Sequence, residues 1–233
     1  MVYLIPSELL EGELKPIPAY VLDAVKACQV FFVENERTSR RYLKRLWKEM
    51  VIDDYEWITI HKAETQVLDR FEKSLKAGKT VGVISEAGCP GVADPGQILV
   101  AKAQQIGIAV KPLVGPSSIL LALMASGLNG QSFRFNGYLP IDGADRKKAI
   151  LRMEDEAWKQ QTTQIFIETP FRNDAILKSL LDNCKDETLL CMAVNITSAM
   201  EEFIRTLPIK KWKGETLPVI HKKPAIFLLG VPL

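Results

Sequence analysis

The segment of this sequence best suited to bind a ligand is the glycine- and proline-rich run at 85–96, SEAGCPGVADPG. Its glycines and other small residues let a ligand approach the main chain closely, and its prolines fix the shape of the loop before binding. It has neither the Gly-Lys-Ser or Gly-Lys-Thr of a phosphate-binding loop nor the GxGxxG pattern of a dinucleotide site. The residues alone leave two interpretations open: a ligand-binding loop, or a long connection that only satisfies turn geometry.

Single charged and nucleophilic residues offer further chemistry. Glu34 follows an apolar run and could accept a proton, while Arg37 could hold a phosphate or an acid; the alternative is a surface cluster of ion pairs. His61 is a candidate base by residue type, although a single histidine at a strand end is more often a structural hydrogen bonder. Asp94 could orient a substrate, but we expect it to cap the following helix. Cys89 has no histidine or cation nearby in the sequence, and we expect a small loop residue rather than a nucleophile.

These residues require strands and helices to position them, and the first half of the chain alternates between the two. Short apolar runs predict strands, and apolar residues at helical spacing predict helices. The predicted strands are 2–5, 30–33, 80–84 and 108–110, and the predicted helices are 19–25, 39–50, 67–75 and 97–106. This alternation predicts right-handed crossovers and a doubly wound, mainly parallel sheet. The run at 85–96 then lies beyond the carboxyl end of a strand, where ligands of such sheets bind.

Two prolines and a glycine at 112–116 separate this half from a second one. We therefore predict an N-terminal α/β domain at 1–113 and a C-terminal α/β domain at 114–233. In the second half the predicted strands are 133–138, 164–167, 189–194, 203–206 and 225–229, and the predicted helices are 146–159 and 174–183. Because two of these strands follow one another without a helix, we expect a mixed sheet.

Composition narrows the class of protein. Of the 233 residues, 47% are hydrophobic, which indicates a globular protein. The 30 basic and 28 acidic side chains nearly balance, so the net charge gives no sign that the protein binds nucleic acid or a membrane surface. No apolar run reaches the roughly 20 residues that span a bilayer. The four cysteines are scattered, so we predict no metal site, no disulfide framework and a cytoplasmic location. Two clusters of basic residues lie at 40–48 and 146–148. The default interpretation is that both are solvated surfaces, and the alternative is that they form a rim that binds the phosphates of RNA.

Several segments resemble one known family. The run at 85–96 is similar to the Ser-Asp-Ala-Gly-x-Pro…Asp-Pro-Gly signature of the 16S rRNA (cytidine 2′-O)-methyltransferase I family, within the tetrapyrrole methylase superfamily. His61 falls where that family has a histidine. Further similarities follow in the same order over essentially the whole chain: VENERT at 33–38, PLVGPSS at 112–118, FNGYLP at 135–140, IFIET at 165–169 and PAIFLLG at 224–230.

The resemblance implies two α/β domains with S-adenosylmethionine in the cleft between them, commonly in a homodimer. No metal is implied, because the sulfonium of this cofactor already activates the methyl group. Carried over by position, the candidate catalytic residues are Glu34, Arg37 and His61. The implied cofactor contacts are Pro6, Ala87, Gly88, Val92, Ser117, Ser118, Glu168, Ile196 and Ala225.

The resemblance also implies a substrate, a ribose 2′-hydroxyl of small-subunit ribosomal RNA. The chain departs from the family pattern after the first strand, at Asn35 and Glu36, around Asn195 and at Lys223–Pro224. Two alternatives therefore stay open. One is a methylase of a tetrapyrrole or another small acceptor, and the other is a non-catalytic relative that binds the cofactor or RNA.

Overall fold

A five-stranded parallel sheet organises the first half of the chain in the computed structural model, which describes residues 1–60 and 64–232. The strands lie in the order β3-β2-β4-β1-β5. The four helices of this half connect successive strands, and a short 3-10 turn, Ile52–Asp54, precedes β3. The strands are β1 (Val2–Ile5), β2 (Val30–Val33), β3 (Glu56–Thr59), β4 (Val81–Ile84) and β5 (Val110–Pro112), and the helices are α1 (Val21–Ala27), α2 (Glu36–Leu46), α3 (Glu64–Lys76) and α4 (Gln97–Gln105).

Helices cover both faces of this sheet. All four residues of β2 and of β4 are buried, as in the centre of a parallel sheet. Phe31 and Val33 pack with residues of α1 and α2 on one face, whereas Phe32 packs with Phe71 of α3 on the other, with ring centroids 5.2 Å apart. The prediction of a doubly wound parallel sheet is confirmed.

The second half forms a mixed sheet in the order β6-β7-β10-β8-β9. β6 pairs with β7 in parallel, and the remaining pairs are antiparallel, so the predicted mixed sheet is confirmed. The two sheets lie in separate compact units, 1–117 and 118–233. The strands are β6 (Phe133–Tyr138), β7 (Thr163–Ile167), β8 (Leu189–Val194), β9 (Phe203–Pro208) and β10 (Ala225–Gly230), and the helices are α5 (Ser118–Ser126), α6 (Gly143–Gln160), α7 (Asn173–Asn183) and α8 (Ile209–Gly214).

Several elements differ from the sequence prediction. β3, α5 and α8 were not predicted from the pattern, and β5 begins two residues later than expected. α2 begins at Glu36 rather than at residue 39, because the Asn35 side chain accepts hydrogen bonds from the first free amides of the helix. It ends at Leu46 because Trp47 has extended backbone, and Met50 is buried beyond the helix. No helix in the described ranges is long and apolar enough to cross a bilayer.

Candidate functional site

The carboxyl ends of the parallel strands bring the predicted loop and its neighbours to one edge of the first sheet. Pro6 follows β1, Glu34 follows β2 and Ser85 follows β4. The backbone amide of Glu34 donates to the Ile84 carbonyl, so pairing continues to the point where both chains leave the sheet. The loop at 85–96, called the signature loop below, begins at this edge.

The signature loop is fastened to the segment after β1 by three hydrogen bonds. Ser7 and Gly88 exchange backbone bonds of 2.8 and 3.3 Å, and the Ser7 hydroxyl donates to the Ser85 carbonyl at 3.0 Å. Tyr42 of α2 is buried, and its hydroxyl donates to the Pro6 carbonyl at 2.7 Å. Ser7 and Tyr42 were not predicted as part of the site, since their roles depend on contacts between residues far apart in sequence.

Glycines permit the close approaches at this edge. Gly88 has φ +73°, and a Cβ there would lie 3.2 Å from the Pro116 carbonyl oxygen and from a Leu9 methyl group. A Cβ on Gly115 would lie 2.1 Å from the Cβ of Pro6. The chain after β1, the signature loop and the chain after β5 are therefore in close contact, and a side chain at either glycine would disturb it.

The predicted cofactor contacts of the first unit differ in their exposure to solvent. Pro6 and Gly88 are buried parts of this packing, whereas Ala87 and Val92 are exposed on the signature loop. Ser117 is the last residue of the first unit and Ser118 opens α5 in the second; both are partly exposed. The arrangement offers small exposed side chains above a fixed backbone.

Three carboxylates belong to the same edge. The Glu34 side chain accepts a hydrogen bond from the Glu86 amide at 2.9 Å, and the Glu86 side chain accepts one from the Thr38 hydroxyl at 3.2 Å. Burial, followed by the charge of Glu86, raises the pKa of Glu34, while the hydrogen bond from the Glu86 amide lowers it in part. Burial and the charge of Glu34 raise the pKa of Asp94 from 3.8 to about 6, although a hydrogen bond with Ser85 opposes the shift.

The expectation that Asp94 caps α4 is wrong. The N-cap of α4 is Gly96, which has φ +124° and no side-chain hydrogen bond to give. Asp94 instead hydrogen-bonds with Ser85, and its pKa is affected by the charges of Glu34 and Glu86.

Replacing Asp94 with asparagine should alter the pH dependence of stability. The folded-state pKa of about 6 lies above the ordinary 3.8, so the stability contributed by this group is complete below pH 3.8 and is lost as the pH rises through 6. Asparagine stays uncharged, and we expect Asp94→Asn to raise the free energy of unfolding by about 1–2 kcal/mol above about pH 7 and by nothing measurable near about pH 4.

Denaturant unfolding at both pH values measures this effect. Asp182→Asn, which removes an exposed carboxylate of α7 paired with Lys178, is the matched control. An equal change for Asp94→Asn at both pH values would contradict the assigned environment.

The other predicted catalytic residues have different settings. Arg37 lies in the first turn of α2 with its side chain exposed, and its backbone amide donates to Asn35. Glu34 bonds to the signature loop rather than to Arg37, and the ion pair of this turn joins Glu36 to Arg40 instead. His61 lies outside the described residues.

The second sheet also gathers predicted residues at one edge. Ile167, the last residue of β7, pairs with Ile226, and Val194, the last residue of β8, pairs with Ala225. Because β10 is antiparallel to both neighbours, its first residue lies beside their carboxyl ends. Glu168, Ile196 and Ala225 are therefore brought to a common edge, as a shared site requires.

Glu168 has the most constrained side chain of this edge. It is fully buried, its Oε2 lies 2.9 Å from the Arg172 guanidinium, and its Oε1 accepts from the Thr169 amide at 2.7 Å. Asn195, with φ +49°, donates from its side chain to Glu201, which Lys223 also contacts. Two of the residues that depart from the family pattern, Asn195 and Lys223, are thus linked through one carboxylate, a relation that sequence spacing did not indicate.

Cys89 and the basic residues of α2 are held by contacts within the protein. Burial raises the pKa of the Cys89 thiol, whose sulfur faces the Gly115 and Pro116 carbonyls, and this environment disfavours a thiolate. In the basic cluster of α2, Arg41 and Arg45 contact Glu11, and Arg45 also contacts Glu8, so much of its charge is balanced. Within the described residues no group of three or more His, Cys, Asp and Glu side chains is arranged to hold a metal ion.

Comparisons with known proteins agree with this organisation. Residues 12–210 match the family model described as tetrapyrrole (corrin/porphyrin) methylases. The chain is 30% identical over 235 residues to the ribosomal RNA small subunit methyltransferase I of Vibrio cholerae, which covers 95% of this chain and 77% of that protein. It is also 30% identical over 204 residues to the protein of the same name from Halalkalibacterium halodurans, covering 87% of this chain and 66% of that protein.

Two solved structures share the fold. The methyltransferase CobJ superposes with a TM-score of 0.62 over 99% of this chain and 93% of that chain. A uroporphyrin-III-C-methyltransferase from Thermus thermophilus superposes with a TM-score of 0.56 over 99% and 91%. Both are 18% identical in sequence, so they bear on the fold and not on the substrate.

Proposed function

Because this chain belongs to the tetrapyrrole (corrin/porphyrin) methylase family, we propose that it transfers a methyl group from S-adenosylmethionine to a ribose 2′-hydroxyl of small-subunit ribosomal RNA. The observation that carries the proposal is the 30% identity to a ribosomal RNA small subunit methyltransferase I over 95% of the chain. The structural likeness to the uroporphyrin-III-C-methyltransferase and to the methyltransferase CobJ is a likeness of fold, and it does not favour a small acceptor. A ribosomal substrate is consistent with the cytoplasmic location that we propose.

The residues at the two sheet edges suit the cofactor. S-adenosylmethionine supplies an activated methyl group on a sulfonium, so the protein needs to orient it and exclude water rather than provide a nucleophile or a metal. The signature loop presents Ala87 and Val92 above a backbone fixed by Ser7 and Gly88. At the other edge the Thr197 hydroxyl, adjacent to Ile196, is a buried polar group with no hydrogen-bond partner among the described residues.

We assign the two edges different parts in binding. In the first unit, Pro6, Gly88 and Ser117 are proposed to form a rigid surface against the cofactor and to contact it with main-chain groups. In the second, Ser118, Glu168, Ile196 and Ala225 contribute further contacts, and Arg172 holds the Glu168 carboxylate in place. Glu34 is the proposed acceptor of the proton that leaves the ribose hydroxyl, Arg37 is proposed to contact a phosphate of the RNA, and His61 is retained as a second candidate base.

Titration calorimetry with the purified chain is the first test. We expect S-adenosylmethionine and S-adenosylhomocysteine to bind at one site per chain, since both share the nucleoside and amino-acid parts that the edges would contact. Absence of heat with either compound would end the proposal. Light scattering of the same sample tests the proposed homodimer, for which we expect a mass of twice 26.1 kDa.

Methyl transfer is the second test. The chain is incubated with methyl-labelled S-adenosylmethionine and small ribosomal subunits from a strain that lacks this gene, and the labelled nucleotide is mapped. We expect label in small-subunit ribosomal RNA at a ribose, with a rate that falls as salt is added. Label in a small acceptor instead would show that the chain methylates that class of molecule and not ribosomal RNA. Tight cofactor binding without any methyl transfer would indicate a non-catalytic relative.

A further inference from the structure

An exposed surface of the second unit combines large apolar side chains with cations. Tyr138, Ile141 and Phe171 are 58%, 78% and 71% exposed, and Phe171 is three residues beyond Glu168. Lys222 lies over the Phe171 ring, Arg146 contacts the Ile141 carbonyl, and Lys147 follows Arg146 in α6. We refer to these six residues as the aromatic–basic patch, and it lies at the carboxyl ends of β6 and β7, on the edge that carries Glu168.

The Phe171 ring is held by charged and polar neighbours. The Lys222 ammonium lies 5.8 Å from the ring centroid, and the His221 ring meets it edge-on at 6.4 Å with an interplanar angle of 83°. The Lys222 amide donates to the Pro170 carbonyl at 3.0 Å. An aromatic ring in this setting stays largely open to solvent and is available for stacking.

Hydrogen bonds fix the loops that carry the patch. The buried Asn173 side chain donates to the carbonyls of Ile220 and Lys223, at 3.0 and 2.7 Å, and so anchors the turn that bears Lys222. Arg172 donates to the Leu139 and Pro140 carbonyls, which ties the loop after β6 to the start of α7. The patch is therefore preorganised, and binding to it requires little ordering of the backbone.

The Arg146 guanidinium extends these ties to α6, because it donates to the Ile141 carbonyl at 2.9 Å. Its Nε also contacts the Ser179 hydroxyl. Arg146 thereby ties α6 to the segment after β6 that carries Ile141.

The patch itself carries three cations and no carboxylate. Of the neighbouring charges, Arg172 is paired with Glu168, Lys148 with Asp145 and Lys223 with Glu201, while the carboxylates of Asp142, at the N-cap of α6, and Asp174, beside His221, lie next to the patch. In the described part of the chain, Arg146, Lys147 and Lys222 have no carboxylate partner.

We propose that the aromatic–basic patch binds single-stranded RNA, with Phe171 stacking on a base and with Arg146, Lys147 and Lys222 contacting phosphates. Bases stack on exposed aromatic rings in sequence-tolerant binding sites, and nearby cations follow the backbone. The position of the patch on the Glu168 edge fits a role in delivering the RNA acceptor. This inference rests on the proposed ribosomal RNA substrate and adds to it a location and a mode of contact.

Fluorescence anisotropy with a labelled single-stranded RNA of about 12 nucleotides tests the stacking. We expect Phe171→Ala and Phe171→Leu to weaken binding about tenfold, and Phe171→Trp to retain it, because loss of an aromatic ring removes one stacking contact. A duplex of the same sequence should bind more weakly than the single strand, since its bases are already stacked. Arg146→Ala with Lys147→Ala should reduce the slope of log affinity against log salt by about 1–2.

The chain offers a matched control. Trp158 is also exposed on the second unit and has a cation, Lys185, 5.4 Å from its ring centroid, but it lies 12 residues further along α6 than Arg146, or about 18 Å. We expect Trp158→Ala to leave RNA affinity unchanged. Circular dichroism melting of each variant verifies that it is folded.

Two outcomes would overturn the proposal. One is equal RNA affinity for Phe171→Ala and the unmodified chain, and the other is no RNA binding by a chain that binds S-adenosylmethionine. Calorimetry with S-adenosylmethionine on every variant keeps this result separate from the proposed function, which fails only if the cofactor or methyl transfer test fails.

Discussion

Glu34→Gln should lower the rate of methyl transfer to small ribosomal subunits by about a hundredfold while leaving the affinity for S-adenosylmethionine unchanged. The glutamine amide oxygen can still accept the hydrogen bond from the Glu86 amide, so the signature loop keeps its anchor. What glutamine cannot do is take up the proton of a ribose hydroxyl. Because burial and the Glu86 charge raise the pKa of Glu34, its carboxylate is a stronger base than an exposed one.

The measurement is a single-turnover assay with methyl-labelled cofactor, accompanied by calorimetry. The rate of the unmodified chain should rise with pH as Glu34 ionises, and this rise should be absent in the variant. Glu56→Gln is the control, because Glu56 begins β3 at the opposite end of the sheet and pairs with Arg70 and Lys79. A Glu34→Gln chain with full activity would exclude this carboxylate as the proton acceptor and would leave His61 as the candidate base.

Gly115→Ala should destabilise the first unit by roughly 3 kcal/mol and weaken S-adenosylmethionine binding at least tenfold. The added Cβ would lie 2.1 Å from Pro6 Cβ and 2.5 Å from Pro6 Cγ, distances that require backbone displacement because a proline ring cannot rotate away. Pro6 in turn accepts the Tyr42 hydrogen bond and precedes the Ser7 bridge to Gly88. A shift of Pro6 therefore reaches the signature loop.

Thermal and denaturant unfolding measure the stability, and calorimetry measures cofactor affinity. Gly130→Ala is the matched control, since a Cβ at that position meets nothing within 4 Å and its backbone φ is not positive. Similar melting temperatures for the two variants would contradict the packing of Pro6 against Gly115. Normal cofactor affinity in a destabilised Gly115→Ala chain would contradict the role of this packing in binding.

The strands were predictable where burial is complete on both faces. VFFV at 30–33 and VGVI at 81–84 are continuous apolar runs, and each forms a central strand with the expected bounds or within one residue of them. β3 was missed because its sequence, EWIT, is short and half polar, as suits an edge strand. α5 was missed because SILLALMAS is apolar in all directions and has no helical period to detect.

The site was predictable in its positions more than in its contacts. The order of parallel strands is enough to place Pro6, Glu34 and the signature loop at one edge. The Ser7–Gly88 bridge, the Tyr42–Pro6 bond and the Glu201 link depend on residues that only the folded chain brings together. The local pattern predicts a cap at Asp94, whereas the N-cap of α4 is Gly96 and Asp94 hydrogen-bonds with Ser85.

Because β10 pairs with a strand on each side, it limits which changes of its sequence the fold can tolerate. Phe227 and Leu229 belong to the main core of the second unit, while Ile226 and Leu228 face the other way, because successive residues of a strand alternate. Deleting one residue within β10 would reverse this alternation and would also withdraw Ala225 from its place beside Val194. β10 can therefore change by substitution but not by deletion, and the position of Ala225 at its start depends on the packing of the interior.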